Sequence, residues 1–135
     1  MIGIRDYAPE DAAAMLALYT SVGWTNYTDR PDMLRRAYAH SLCALVAEED
    51  GEIVGAVRAV GDGASALLIQ DLLVRPERQR QGIGTRLMRA LLARYPDVYQ
   101  TQLLTDDTEK TVAFYRSLGF ERVEEMRCCA MLMVK

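Results

Sequence analysis

The chain is expected to fold as a mixed α/β sheet flanked by helices, and three observations carry that expectation. Hydrophobic residues switch from alternate spacing to helical spacing and back again along the sequence. Near the middle, an apolar strand, a helix and a second strand follow one another, the order of a parallel pair joined by a right-handed crossover. The Asp50-Gly51 dipeptide between two apolar-rich runs marks a tight antiparallel hairpin. The full expected order is β-α-α-β-β-β-α-β-α-β-β.

Each element has its own signal. Residues 2–7 alternate as a half-buried strand does. Pro9 opens a helix, where its missing N–H is no loss, and Met15, Leu18, Tyr19 and Val22 recur along it until Gly23. The stretch Trp24-Thr25-Asn26-Tyr27 belongs to a polar, aromatic connection, and a second helix runs over about residues 31–41. Two strands then meet at Asp50-Gly51, and a third, over about residues 65–74, is apolar except for Gln70 and Asp71. The next helix carries Leu87, Leu91 and Leu92 and stops before Pro96. A strand over residues 98–105 precedes a helix that Asp106, Asp107 or Thr108 caps and Gly119 ends. Residues 120–125 and 128–135 are expected to be short terminal strands.

Composition narrows the function. The chain has 135 residues, 50% hydrophobic and 26% charged, the size and balance of one soluble globular domain spanning residues 1–135. A net charge of -3 argues against a nucleic-acid binder. The apolar runs are far shorter than the ~18–20 residues that cross a membrane. The opening residues carry an early acid and no apolar signal core. Three cysteines, two of them adjacent, make neither a disulfide framework nor a metal site. A reduced, cytoplasmic protein is the expectation.

The most informative stretch is Arg78-Gln79-Arg80-Gln81-Gly82-Ile83-Gly84, between the apolar strand and the helix after it. A helix N-terminus presents unpaired N–H groups and partial positive charge. Glycine at 82 and 84 clears side chains from their path. Arg75, Arg78, Arg80, Arg86 and Arg89 gather there against one carboxylate, Glu77, in a chain that is acidic overall. The simplest ligand is a phosphate or pyrophosphate; the alternative is a glycine-rich turn with solvated arginines. A Walker loop is excluded because Thr85-Arg86 follows Gly84, and a dinucleotide fingerprint because Leu87 stands where a third glycine belongs.

Residues 72–92 resemble the acetyl-coenzyme A binding motif of the GNAT (GCN5-related) N-acetyltransferases, with Gln79, Gly82 and Gly84 at its signature positions. Residues 108–121 resemble the family's second signature, an aromatic-tyrosine pair closing on Gly-Phe, and the element order matches along essentially the whole chain. Trp24-Thr25-Asn26-Tyr27, Gly55-Ala56-Val57-Arg58 and Asp71-Leu72-Leu73-Val74 resemble the subgroup that includes plant-type serotonin (arylalkylamine) N-acetyltransferases. The resemblance implies a GNAT-like fold. It also implies an acetyl-coenzyme A–dependent transfer to a primary amine of a small molecule, without a metal.

It further implies a site. Gln79, Arg80, Gln81, Gly82, Ile83, Gly84 and Thr85 would hold the coenzyme, while main-chain N–H groups of a bulged strand at Leu72, Leu73 and Val74 would meet the thioester carbonyl. Tyr115 would serve as general acid to the leaving thiolate. Thr108 stands where the family often has an asparagine that helps hold the coenzyme. Trp24 and Tyr27 would line the amine pocket, or else cover the core. Asp71, a carboxylate inside an apolar strand, is either the base for the amine or a buried acid paired with Arg58. Acidic groups in the cleft would favour a cationic substrate. Two further functions remain beside this one: a non-catalytic module that binds or senses acyl-coenzyme A, and transfer to a protein or peptide amine. Terminal strands with free edges are compatible with a homodimer.

Overall fold

A computed structural model describes residues 1–135. The chain forms two compact units, Met1–Leu104 and Thr105–Lys135. The first holds a mixed sheet of β1 (Gly3–Asp6), β2 (Cys43–Glu49), β3 (Glu52–Gly61), β4 (Ala66–Val74) and β5 (Gln100–Leu103), in the order β1-β2-β3-β4-β5. The first three pairings are antiparallel and β4–β5 is parallel. The mixed α/β class therefore holds.

Local chemistry explains the strand connections. Asp50 (φ 52) and Gly51 (φ 80) both adopt the left-handed region between the paired residues Glu49 and Glu52. That is a two-residue hairpin turn whose twist matches the strands it joins. The parallel β4–β5 pair needs a crossover, which α4 (Ile83–Ala93) supplies. α4 buries Ile83, Leu87, Met88 and Leu91. It lies so close to β3 that a Cβ on Gly55 would stand 3.2 Å from Leu87 and 3.1 Å from the Leu73 carbonyl oxygen.

α1 (Ala12–Ser21), the short α2 (Thr25–Thr28) and α3 (Pro31–Ala39) cover a core cluster. In it Met15, Leu18, Tyr19, Leu34 and Tyr38 meet Val46, Ile53, Ala56 and Leu73 of the sheet. Pro9 begins a 3-10 turn (Pro9–Asp11) rather than the α-helix itself. The expected aromatic connection contains α2, a single turn that the sequence pattern is too short to reveal.

The second unit contains α5 (Glu109–Ser117). The two expected terminal strands do not form. Val123–Met126 is a 3-10 turn followed by Arg127 in the left-handed region, and residues 127–135 join no ladder. The acidic stretch closes locally instead: Arg116 pairs with Glu121 and Glu125, and Arg122 with Glu124 and Asp107. Alternating apolar residues supply strand propensity, but a strand also needs a neighbour for its main-chain groups.

Replacing Gly55 by alanine should destabilise the fold. Overpacking costs about 1–3 kcal/mol, and a stiffer unfolded chain offsets less than ~1 kcal/mol of that. A lower urea midpoint with an unchanged m-value is the expected result.

Candidate functional site

β4 runs beyond its parallel neighbour. It pairs with β5 only from Ala66 to Ile69, so residues 70–74 have no strand on that side. The ladder to β3 slips at the same place: Arg58 faces Asp71 and Ala59 faces Ile69, which leaves Gln70 as the extra residue of a bulge. The bulge thus lies just before the segment expected to carry it. From there the alternation of main-chain groups can be followed. The Arg75 N–H donates to the Val54 carbonyl at 2.8 Å, toward β3. Leu73 therefore also turns its main chain to β3, and Leu72 and Val74 turn theirs to the open side. The Val74 carbonyl accepts the Gln79 side-chain amide at 3.0 Å, which ties the following loop to this edge.

That loop ends at the N-terminus of α4. Arg80 (φ 65) and Gly82 (φ 79) are both left-handed. Gly82 is the N-cap and offers no capping side chain, and the first helical bond runs from the Arg86 N–H to the Gly82 carbonyl at 3.0 Å. The main-chain N–H groups of residues 80–85 find no acceptor in the protein. A Cβ on Gly82 would meet nothing within 4 Å, so the corner is open. A row of bare N–H groups at a helix start, in open space, is an anion site. Gln79, Arg80, Gln81, Gly82, Ile83, Gly84 and Thr85 are thereby brought together with Leu72 and Val74.

The arginine ring is thinner than the sequence implied. Arg78 pairs with Glu49, and Arg75 with Glu52 at 3.5 Å while donating to the Ile53 carbonyl at 3.1 Å. Arg86 donates to the Ile2 carbonyl at 3.0 Å. The exposed Arg80 and Arg89 make no ion pair, so their charge is available to a ligand.

Asp71 has the partner that one of its two readings required. It is buried, and its Oδ2 accepts the Arg58 Nε–H at 2.7 Å and the Tyr19 hydroxyl at 2.9 Å. Its Oδ1 accepts the Tyr27 hydroxyl at 3.0 Å. The Tyr19 and Tyr38 hydroxyls are 2.9 Å apart, and the guanidinium lies 5.6 Å from the Tyr38 ring centre and 5.9 Å from that of Tyr27. Burial, with the neighbouring Tyr38 and Asp71, pushes the Tyr19 phenol well above its ordinary value; burial does the same to Tyr38. For Arg58, burial acts downward, and the Asp71 charge and hydrogen bond outweigh it. No buried side-chain polar atom is left without a partner. The Asp71 charge is matched by Arg58, so it does not by itself draw a cation into the cleft.

Trp24 and Tyr27 lie on this same cluster. Tyr27 is buried, and the half-buried Trp24 packs edge-on against Tyr19 with ring centres 5.7 Å apart. The arrangement covers the core. Sequence reasoning did not give Tyr19 and Tyr38 a polar role, although a tyrosine on the buried stripe of a helix signals a hydroxyl in need of a partner.

In the second unit, Thr108 is the N-cap of α5. Its hydroxyl oxygen accepts the Thr111 N–H at 3.2 Å, and the hydroxyl donates to the Thr111 side chain at 2.9 Å. The residue expected to touch a coenzyme is thus engaged in capping its own helix. Tyr115 lies edge-on between Phe114 and Phe120, with ring centres 5.0 and 5.9 Å away. Burial pushes its phenol up, outweighing an opposing hydrogen bond with Thr105. A phenol so placed keeps its proton at neutral pH.

Comparison with known proteins adds four findings. Residues 40–122 match the family model described as "Acetyltransferase (GNAT) domain". The chain is 30% identical over 114 residues to serotonin N-acetyltransferase 2, chloroplastic, of Oryza sativa subsp. japonica, an alignment covering 82% of this chain and 56% of that one. Its fold matches the structure of a GNAT-family acetyltransferase from Streptococcus pneumoniae TIGR4 with a TM-score of 0.91 and 43% identity, over 100% and 98% of the two chains. It also matches a GNAT-family acetyltransferase from Brucella melitensis in complex with acetyl-CoA, with a TM-score of 0.70 and 27% identity, over 90% and 83%. The chain spans between 29% and 60% of the length of the curated relatives it matches. No helix is long and apolar enough to cross a membrane.

Breaking the buried pair tests its structural weight. Arg58→Met should cost about 3–5 kcal/mol, because it leaves the Asp71 carboxylate buried without its cation. Thermal unfolding would register the loss, and a variant as stable as the parent would contradict the geometry.

Proposed function

Because the chain belongs to the GNAT acetyltransferase family, we propose that it transfers an acetyl group from acetyl-coenzyme A to a primary amine of a small molecule. The observation that carries this reading is the open corner at residues 80–85, with its unaccepted N–H groups beside the free edge of β4. A diphosphate satisfies those donors, and Arg80 and Arg89 add charge to hold it. Both compact units belong to one catalytic domain in this reading, since the family match runs through both.

The chemistry divides among few groups. The amine nitrogen bonds to the acyl carbon, and the carbonyl oxygen gains negative charge. The Leu72 and Val74 N–H groups are the donors aimed at that oxygen. The carbon–sulfur bond then breaks, and the thiolate takes the Tyr115 proton, which solvent later restores. The substrate ammonium first gives a proton to water, because only the free amine is nucleophilic, and the adduct nitrogen gives its second proton to water as the carbon–sulfur bond breaks. Asp71 is a positioning residue here, because its oxygens are occupied by Arg58, Tyr19 and Tyr27. Through Tyr27 it also fixes Trp24, which is left as the aromatic face of the amine site. The subgroup resemblance and the similarity to a serotonin N-acetyltransferase support a small amine as acceptor. The three free cysteines support a reducing, cytoplasmic setting. A homodimer of the chain is the working assembly.

Mixing the protein with acetyl-coenzyme A and a panel of arylalkylamines, polyamines, amino acids and peptides should release free thiol with a small amine. No release with any of them overturns enzymatic transfer, and release with peptides alone moves the acceptor to a protein. Tyr115→Phe should lower kcat by about 10²–10⁴-fold, while Gly82→Glu should weaken coenzyme binding in calorimetry. Asp71→Asn should lower stability and leave the acidic limb of the kcat/KM pH profile in place. Loss of that limb in the folded variant would assign the base to Asp71.

A further inference from the structure

The helices of the first unit enclose a cavity that the transfer chemistry does not use. It lies between α1 and α3, beside Tyr7, and holds about 340 Å³. Clefts that take small molecules begin near that size. α1 leaves the room, because it presents Ala12 and Ala13 there beside Leu16. The buried Met15, Leu34 and Tyr38 make the floor. No residue of the β4 edge or of the loop before α4 lines it, and neither Trp24 nor Tyr27 does. A Cβ on Gly55 would meet Leu87 of α4, whereas Ala56 packs with the core under α1 and α3. Neighbouring strand residues face opposite sides. The cavity and α4 are therefore on opposite faces of the sheet.

Two polar groups reach this apolar space. Arg35 is the one charged side chain among the lining residues. Its Nη2–H is paired with Asp32 of the same helix, an exposed contact of small weight, and its Nε and Nη1 have no partner in the protein. The Tyr7 hydroxyl also has no protein partner, although its ring lies 4.9 Å from that of Tyr38. Every buried polar side-chain atom is satisfied, so this hydroxyl is reachable from outside. Burial, with the Asp11 and Glu10 charges, pushes the Tyr7 phenol up, and Arg35 acts against them. The phenol thus stays a donor at neutral pH. Neither acid lines the cavity, and Arg5 holds Asp11 through two hydrogen bonds of 2.8 and 2.9 Å.

One guanidinium and one phenolic donor in an apolar chamber suit a particular ligand. A carboxylate takes parallel N–H bonds from a guanidinium, and the phenol adds a third. The walls favour hydrocarbon next to it. A phosphate group is met by clustered cations, which this chamber lacks.

We propose that the cavity between α1 and α3 binds a small monocarboxylate with a hydrocarbon or aromatic body, its carboxylate on Arg35 and Tyr7 and its body against Leu16, Leu34 and Tyr38. The Tyr38 hydroxyl is 2.9 Å from that of Tyr19, so an occupant leans on the polar cluster around Asp71 without entering the cleft. Binding here requires no acetyl transfer and stands separately from the enzymatic reading.

Calorimetry of the full chain with 4-phenylbutyrate should show one site, of equal affinity with and without saturating acetyl-coenzyme A. The neutral 4-phenylbutyramide should bind about tenfold more weakly or worse, since a charged hydrogen bond is lost. Arg35→Gln, a change at an exposed position, should weaken the carboxylate to the level of the amide and leave the amide unaffected. Tyr7→Phe should cost about 2–10-fold. Ala13→Trp should fill the cavity and abolish binding, with an unchanged far-UV spectrum and unchanged affinity for acetyl-coenzyme A. No binding at millimolar ligand, equal affinity for acid and amide, indifference to Arg35→Gln, or displacement by acetyl-coenzyme A would each overturn the proposal.

Discussion

The ion pair between Arg58 and Asp71 decides how the first unit is put together. It joins β3 to β4 at the bulge, and the tyrosines that complete it come from α1, α2 and α3. A buried charge without a partner is costly, so every one of these contacts constrains the others. The helices cannot slide on the sheet without stranding a hydroxyl or a charge. The bulge at Gln70 is where β4 leaves regular pairing, and the strand edge beyond it is the one with free donors. A polar knot in the core thus fixes the strand whose edge carries the free donors, while its own oxygens stay occupied.

The second constraint is what α4 lacks. A helix start can be closed by a side chain that accepts an N–H, as Thr108 does for α5. Here Gly82 closes nothing, and the loop before it reaches back through Gln79 to the β4 edge. Gly55 lets the same helix sit close to the sheet. Open donors on a firmly packed helix are held in place before any anion arrives, which is what the proposed diphosphate site requires.

Much of this was legible in the residues. Asp50-Gly51 announced its hairpin, and the glycines at 82 and 84 announced an open helix start, because each depends only on neighbours in sequence. The carboxylates that draw Arg75 and Arg78 away from the loop were not legible, since Glu49 and Glu52 reach them only through the fold. Asp71 was visible as an anomaly, and Arg58 as one partner, but its two tyrosine ligands come from two different helices, α1 and α2. Thr108 was one of three candidate caps, and only the geometry of Thr111 singles it out. The terminal strands failed for a related reason: propensity lies in the residues, whereas a ladder requires a second segment.

Trp24 is the chain's sole tryptophan, and it rests against Tyr19, a ligand of the buried carboxylate. The molecule therefore carries an intrinsic optical reporter at its polar core. Emission from that one indole registers, without any label, whether the tyrosines around Asp71 are in place.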